Sequence, residues 1–168
     1  MVGINIEDSL IANGIRTILD KEVFFEKLKL VITKLKEEKV EIFINVRTDT
    51  FLLGLENPVQ ETLQRIKLLE EIGIDGIFVP CITSEKDIKV IVNSTKLPMN
   101  VMCMPELSDF KTLKEIGIKR ISSGNFLNEY IYKNLEEKGS EIMKKQSFSQ
   151  FLNNNETYSG KNVSGIVR

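Results

Sequence analysis

The sequence predicts an α/β fold in which helices cover a parallel sheet. Three observations predict it. Short apolar runs alternate along the chain with longer segments whose apolar residues recur at helical spacing, and that alternation builds parallel strands joined by helices. Two segments repeat one unit: LEEIGIDGIFVP from Leu69 and LKEIGIKRISSG from Leu113 each read as a helix end, a glycine stop and a strand. The strand-like runs are continuously apolar, which suits burial on both faces. Two architectures fit, an open doubly wound sheet or part of a (β/α)8 barrel. A barrel takes eight units and typically about 250 residues, whereas this chain offers five units in 168 residues.

Residues 2–6 read as the first strand. A helix follows from Lys21 to Glu38, with Asp20 as N-cap and Phe24, Leu28, Val31, Ile32 and Leu35 on one stripe. VEIFINVRTD is rich in β-branched and aromatic residues and reads as the second strand. The next helix has Asn57 as cap, Pro58 at its first position and Gln60 closing a capping box, and it runs to Ile72. GIFVP is the third strand. Ser84 caps a helix through Val92, LPMNVMCM is the fourth strand, and Ser108 caps a helix that ends at Gly117. KRISSG is the fifth strand, and a helix begins near Asn125. Gly73 and Gly117 fit the left-handed position that closes a helix, where a Cβ would clash. From Gln146 onward the chain is rich in Asn, Ser and Gly, and residues 146–168 read as a tail or a partner-docking arm.

Apolar residues make up 42% of the chain and charged residues 28%, the balance of a soluble globular protein. The net charge is -1 and no basic stripe appears, which argues against a nucleic-acid surface. No apolar stretch is long enough to span a bilayer, so no membrane partner is expected. No secretory leader is visible, and Cys81 and Cys103 read as buried free thiols, which together point to a reducing cytoplasm. The chain has no histidine, so Ser-His-Asp, Cys-His and His-metal chemistries are excluded. Chemistry must rest on carboxylates, Arg, Lys, hydroxyls or a metal held by oxygen.

Sites of parallel α/β folds lie at the carboxyl ends of the strands. The polar residues there are Glu7 and Asp8, then Arg47, Thr48 and Asp49, then Cys81, and finally Ser122, Ser123 and Gly124, while Asn100 lies within its strand. Acid, Arg, amide and hydroxyl would suit an anionic substrate held by Arg and a hard cation held by oxygens. Each has a plainer reading: Asp8 as a helix cap, Arg47 and Asp49 as a structural ion pair, Asn100 as a hydrogen-bond hub, Ser122–Gly124 as a turn. The chain opens on MVGINIEDS, and on the repeat Gly3 falls where Gly76 falls. The helix and glycine that precede the other units are missing, so the expectation is that upstream units lie outside this chain. The alternative is an open five-stranded sheet that begins here.

GINIEDS, INVRTDTF, GIDGIFVP, PMNVM and LKEIGIKRISSG, in this order and spacing from Gly3 to about Phe126, resemble the isocitrate lyase/phosphoenolpyruvate mutase superfamily, and its short phosphonomutase-like members above all. The resemblance implies a (β/α)8 barrel that binds Mg2+ and a small 2-oxo or hydroxy acid. It implies a lyase or mutase that makes or breaks a C–C or P–C bond next to a pyruvate enolate. It places Glu7 at the acidic position that holds the metal through water, Arg47 where an arginine clamps the substrate carboxylate, and Asn100 beside the substrate. Arg47 and Asn100 are the candidate catalytic residues, and Ser122 and Gly124 join them as candidate substrate-binding residues.

On this likeness the chain is a C-terminal part only. Residues 1–145 hold strands four to eight of a partial barrel with their helices, and the first three units, with their Asp-x-Asp metal segment, are absent. The isolated chain is then expected to show little or no lyase activity. After IEDS the lyases carry a loop with Lys and a catalytic Cys, where this chain reads LIANGIRT; that weakens an isocitrate lyase assignment. The alternatives are a non-catalytic remnant and an open α/β domain that binds a phosphorylated metabolite at ISSGN. The resemblance also implies a homo-oligomer.

Overall fold

The computed structural model describes residues 3–149. Among them, seven strands and five helices follow in the order β1 (Gly3–Glu7), β2 (Ser9–Ala12), β3 (Ile15–Ile18), α1 (Lys21–Glu37), β4 (Phe43–Arg47), α2 (Pro58–Ile72), β5 (Gly76–Val79), α3 (Glu85–Asn93), β6 (Met99–Met102), α4 (Phe110–Ile116), β7 (Arg120–Ser122) and α5 (Phe126–Lys145). The chain divides into two units, residues 1–124 and 125–168. The second contains α5, a 20-residue helix with no buried residue. The expected tail, residues 146–168, lies almost wholly outside the described residues.

Two sheets form. One is a five-stranded parallel sheet in the order β1-β4-β5-β6-β7, and the other is the antiparallel pair β2-β3. This corrects the expectation of five strands, each followed by a helix, that stand for strands four to eight of a barrel with three units absent. Three strands, β1 to β3, precede the first helix. The physical reason is local. Asn13 and Gly14 both take positive φ, 52° and 77°, so LIANGIRT folds back on itself as a two-residue hairpin.

The order of the large sheet also separates the two architectures. Each new strand adds to the same edge, and crossovers between parallel strands are right-handed. All the crossover helices therefore fall on one face, as in a barrel, whereas a doubly wound sheet needs a reversal of order. The covered face carries Ile44, Val46, Ile77, Val79, Met99 and Val101, packed against Phe24, Leu28 and Ile32 of α1, Ile66 and Leu69 of α2, Ile88 and Ile91 of α3 and Leu113 of α4. Burial on both faces holds for central β5, all four residues of which are buried, but not for edge strands β1 and β7.

The helix ends obey the expected chemistry in most places. Asp20 accepts from the N–H groups of Glu22 and Val23, and Ser84 from that of Asp87. Gly73 and Gly117 close α2 and α4 in the left-handed conformation. Three details differ. Asp109, not Ser108, caps α4, because its carboxylate reaches the Thr112 N–H, while the Ser108 hydroxyl donates to Glu85. Asn57 makes no side-chain cap bond. Val31 is exposed, so the apolar stripe of α1 is narrower than its sequence reads.

Candidate functional site

Strand pleating sends alternate residues to the face that the helices leave uncovered. There, register aligns Glu7, Arg47, Phe78, Asn100 and Arg120 in one row across the sheet. Three of the residues singled out from sequence thus share a row. They do not share a position along their strands: Glu7 and Arg47 end β1 and β4, whereas Asn100 is the second residue of β6 and Arg120 the first of β7.

The charge gathers at the Glu7 end. Arg47 donates from Nε to Asp49 Oδ1 at 2.6 Å and holds Nη1 3.5 Å from Glu7 Oε2. A second guanidinium comes from the hairpin: Arg16 Nη1 lies 3.1 Å from Glu7 Oε1 and 3.0 Å from Asp49 Oδ2, and donates to Ser9 Oγ at 2.6 Å. The Ser9 hydroxyl donates in turn to Asp49. Asp49 is fully buried, whereas the Glu7 side chain is 39% exposed. Contact with Glu7, above all, raises the pKa of Arg16. Arg47 also lies over the Phe78 ring, 5.8 Å from its centroid, which steadies the guanidinium plane.

Beneath this cluster Asp8 is neither a helix cap nor a ligand-facing acid. It accepts from Thr48 Oγ1 at 2.6 Å, from the Asp49 N–H at 2.9 Å and from Arg65 Nη1 at 3.2 Å. The neighbouring segment RTD thus fixes Asp8 from one side and α2 fixes it from the other.

Asn100 is buried and turns to its own edge of the sheet. With its amide oriented by its neighbours, Nδ2 donates to the Arg120 carbonyl at 3.0 Å and Oδ1 accepts from Arg120 Nη1 at 3.2 Å. These two bonds tie it to β7. Ser122 donates to the Val101 carbonyl at 3.4 Å, and Gly124 has φ 57° with Met102 Sδ only 2.8 Å from where a Cβ would sit. Both belong to the β6–β7 edge. Glu7 and Arg47 meet directly, whereas Asn100 and Ser122 bond to β7 and β6 rather than to either of them. A hollow of about 410 Å³ on the uncovered face is lined by Asn5 and Asn45, two residues before Glu7 and Arg47 on their strands, and by Phe43, Asn100 and Arg120 among others.

Among the described residues no group of three or more His, Cys, Asp or Glu side chains is placed to hold a metal ion. The donor set fits Mg2+ poorly. A hard dication binds oxygens that carry uncompensated charge, and each oxygen of Glu7 and of Asp49 already faces a guanidinium. Cys81 is half-buried in a left-handed conformation and Cys103 is exposed, which corrects the reading of both as buried thiols; neither is in a disulfide.

Sequence reasoning missed Arg16 and Ser9. The signal was present: Asn-Gly between apolar runs marks a hairpin, and pairing across it sets Ser9 opposite Ile18 and Arg16 opposite Ile11.

A parallel sheet wound in one direction, with helices on one face and polar residues gathered where strands end, defines an α/β protein of the barrel-forming kind. The chain belongs to the phosphoenolpyruvate phosphomutase family, whose model it matches over residues 1–143. The match takes in residues 1–143, more of the chain than the Gly3-to-Phe126 stretch that carries the resemblance, and it corrects the reading of the likeness as a C-terminal part only. An uncharacterized protein of Mycobacterium tuberculosis is 30% identical over 123 residues, 73% of this chain and 44% of that protein. The crystal structure of a candidate phosphonomutase from Burkholderia cenocepacia aligns with TM-score 0.74 and 29% identity, over 83% of this chain and 59% of that one. The crystal structure of 2,3-dimethylmalate lyase, described as a PEP mutase/isocitrate lyase superfamily member, aligns with TM-score 0.74 and 14% identity, over 94% of this chain and 54% of that one, and shows the shared fold. The chain thus spans about half the length of these relatives. No described helix is long and apolar enough to cross a membrane.

Proposed function

We propose that this chain serves lyase or mutase chemistry on a small 2-oxo or hydroxy acid, with Arg47 holding the substrate carboxylate while a C–C or P–C bond next to an enolate is made or broken. The observation that carries this reading is the posture of Arg47. Buried Asp49 takes its Nε at 2.6 Å, so the guanidinium is fixed with its Nη edge toward half-exposed Glu7. From that edge Nη1 faces a carboxylate oxygen, the charge-assisted contact a substrate acid would take. Cationic groups fixed in advance stabilise an enolate's growing charge more than they stabilise the ground state.

The family resemblance brings Mg2+ with it, but the acids of this chain are compensated by arginines, so no step is assigned to a metal here. Asn100, Ser122 and Gly124 serve the site, in this reading, through the far edge of the sheet rather than by touching the acid that Arg47 holds. The two unpaired thiols agree with a reducing cytoplasm, and the family resemblance supports a homo-oligomer.

The test is binding of oxaloacetate to the full chain by ligand-observed NMR. Arg47→Ala should weaken it by at least about tenfold, the loss expected when a charge-assisted contact is removed. Wild-type affinity in Arg47→Ala would sink the clamp.

A further inference from the structure

Glu7 and Asp49 close a ring of alternating charge with Arg16 and Arg47. Around it run contacts of 3.1 Å from Arg16 to Glu7, 3.5 Å from Glu7 to Arg47, 2.6 Å from Arg47 to Asp49 and 3.0 Å from Asp49 to Arg16. The two acids are not equivalent. Asp49 is fully buried, takes the shorter contact to each arginine and also accepts the Ser9 hydroxyl. Glu7 is partly exposed and takes the longer contact to each. Asp49 therefore fixes the two guanidiniums side by side, and Glu7 fills the gap between them from the solvent side, one oxygen to each.

We propose that this ring is a two-arginine carboxylate clamp, with Arg16 of the hairpin as its second arm and Glu7 as a resident carboxylate that an incoming acid displaces. The proposal rests on the reading of Arg47 as a clamp and adds Arg16 to it. An incoming carboxylate offers the same two oxygens in the same planar geometry as Glu7, one for the Nη1 of each arginine. Arg16 can follow its ligand because it rides on a two-stranded ribbon, an element with little stability of its own. The ribbon is tied at its base by the Leu19 N–H on the Asp8 carbonyl at 2.8 Å. The displaced Glu7 keeps its charge solvated, since it already faces water.

The probe is oxalate, titrated calorimetrically into the full chain in metal-depleted buffer. Saturable binding without metal is expected. Arg16→Ala should weaken it at least about tenfold, and Glu7→Gln should tighten it several-fold, because the neutral amide competes poorly for two guanidiniums. Wild-type oxalate affinity in Arg16→Ala, with loss only in Arg47→Ala, would overturn the second arm and leave the Arg47 reading standing. Weaker binding in Glu7→Gln would overturn the displacement. No binding by either wild type or Glu7→Gln would overturn both this proposal and the Arg47 clamp. If Arg16→Ala does not fold, Arg16→Gln carries the test: it keeps a polar side chain without the charge, so unchanged affinity there overturns the proposal.

Discussion

Arg65 Nη1 on α2 lies 3.2 Å from Asp8 Oδ2 at the end of β1, and the two side chains are 5% and 1% exposed. This pair ties the sheet edge to a helix 57 residues on. It is not free of cost. Burial pushes the Asp8 carboxyl above its usual range, against hydrogen bonds from Thr48 and the Asp49 N–H and the charge of Arg65. Arg65 Nε is also buried with no hydrogen-bond partner among the described residues, Glu61 Oε2 lying 3.9 Å away.

Removing one member of such a pair strands the other, which costs about 3–5 kcal/mol, whereas replacing both by apolar groups is often neutral. Asp8→Ala alone should therefore destabilise by about that amount in urea unfolding. The double variant Asp8→Leu with Arg65→Met should recover most of the loss. Strict additivity of the two single effects would show that the pair is not coupled.

The hairpin turn gives a second prediction. Gly14 sits at φ 77° with nothing within 4 Å of where a Cβ would sit, so a substitution there meets strain in the backbone alone. Gly14→Val should cost about 1–2 kcal/mol, the left-handed penalty of a residue with a Cβ, and should weaken oxalate binding by loosening Arg16. Asn13→Gly should be tolerated. A Gly14→Val chain with unchanged stability would argue that the turn is not held in this form.

The third concerns pH. The Val23 N–H, first among its partners, and the Glu22 N–H hold the Asp20 carboxyl below its ordinary value of 3.8. A lowered acid contributes stability that is present above the unfolded value and lost as pH falls through the folded one. Melting temperature plotted against pH should show wild type above Asp20→Ala near neutrality, with the gap closing as pH drops below about 3.8. Asp20→Asn, which still caps, should lie between them. A gap that stays constant through the acid range would mean that the charge of Asp20 adds nothing to its cap.

Much of the fold was legible because it is dictated locally. The αL glycines Gly73 and Gly117, the Asp20 and Ser84 caps and Pro58 at the start of α2 each follow from the conformational limits of a few neighbouring residues. The hairpin was legible in the same way, in Asn13-Gly14, but its length is short beside a helix and the segment passes for a loop. The cap of α4 was misplaced by one residue because Ser108 and Asp109 both cap well, and a tertiary contact, the Ser108 hydroxyl on Glu85, decided between them.

The site divides along the same line. The sequence by itself determined that carboxylates, arginines and hydroxyls would end the strands, since side-chain order along a strand is fixed by the chain, and its motifs pointed to the family. Only the tertiary structure decided which of them meet. Register set Glu7 beside Arg47 and carried Asn100 down to Arg120, and the folded hairpin brought Arg16 onto Asp49, 33 residues away. Such contacts depend on how strands are staggered and where a ribbon folds back. Those are properties of the packed whole, in which buried Asp49 has to find its cations, and no local pattern encodes them.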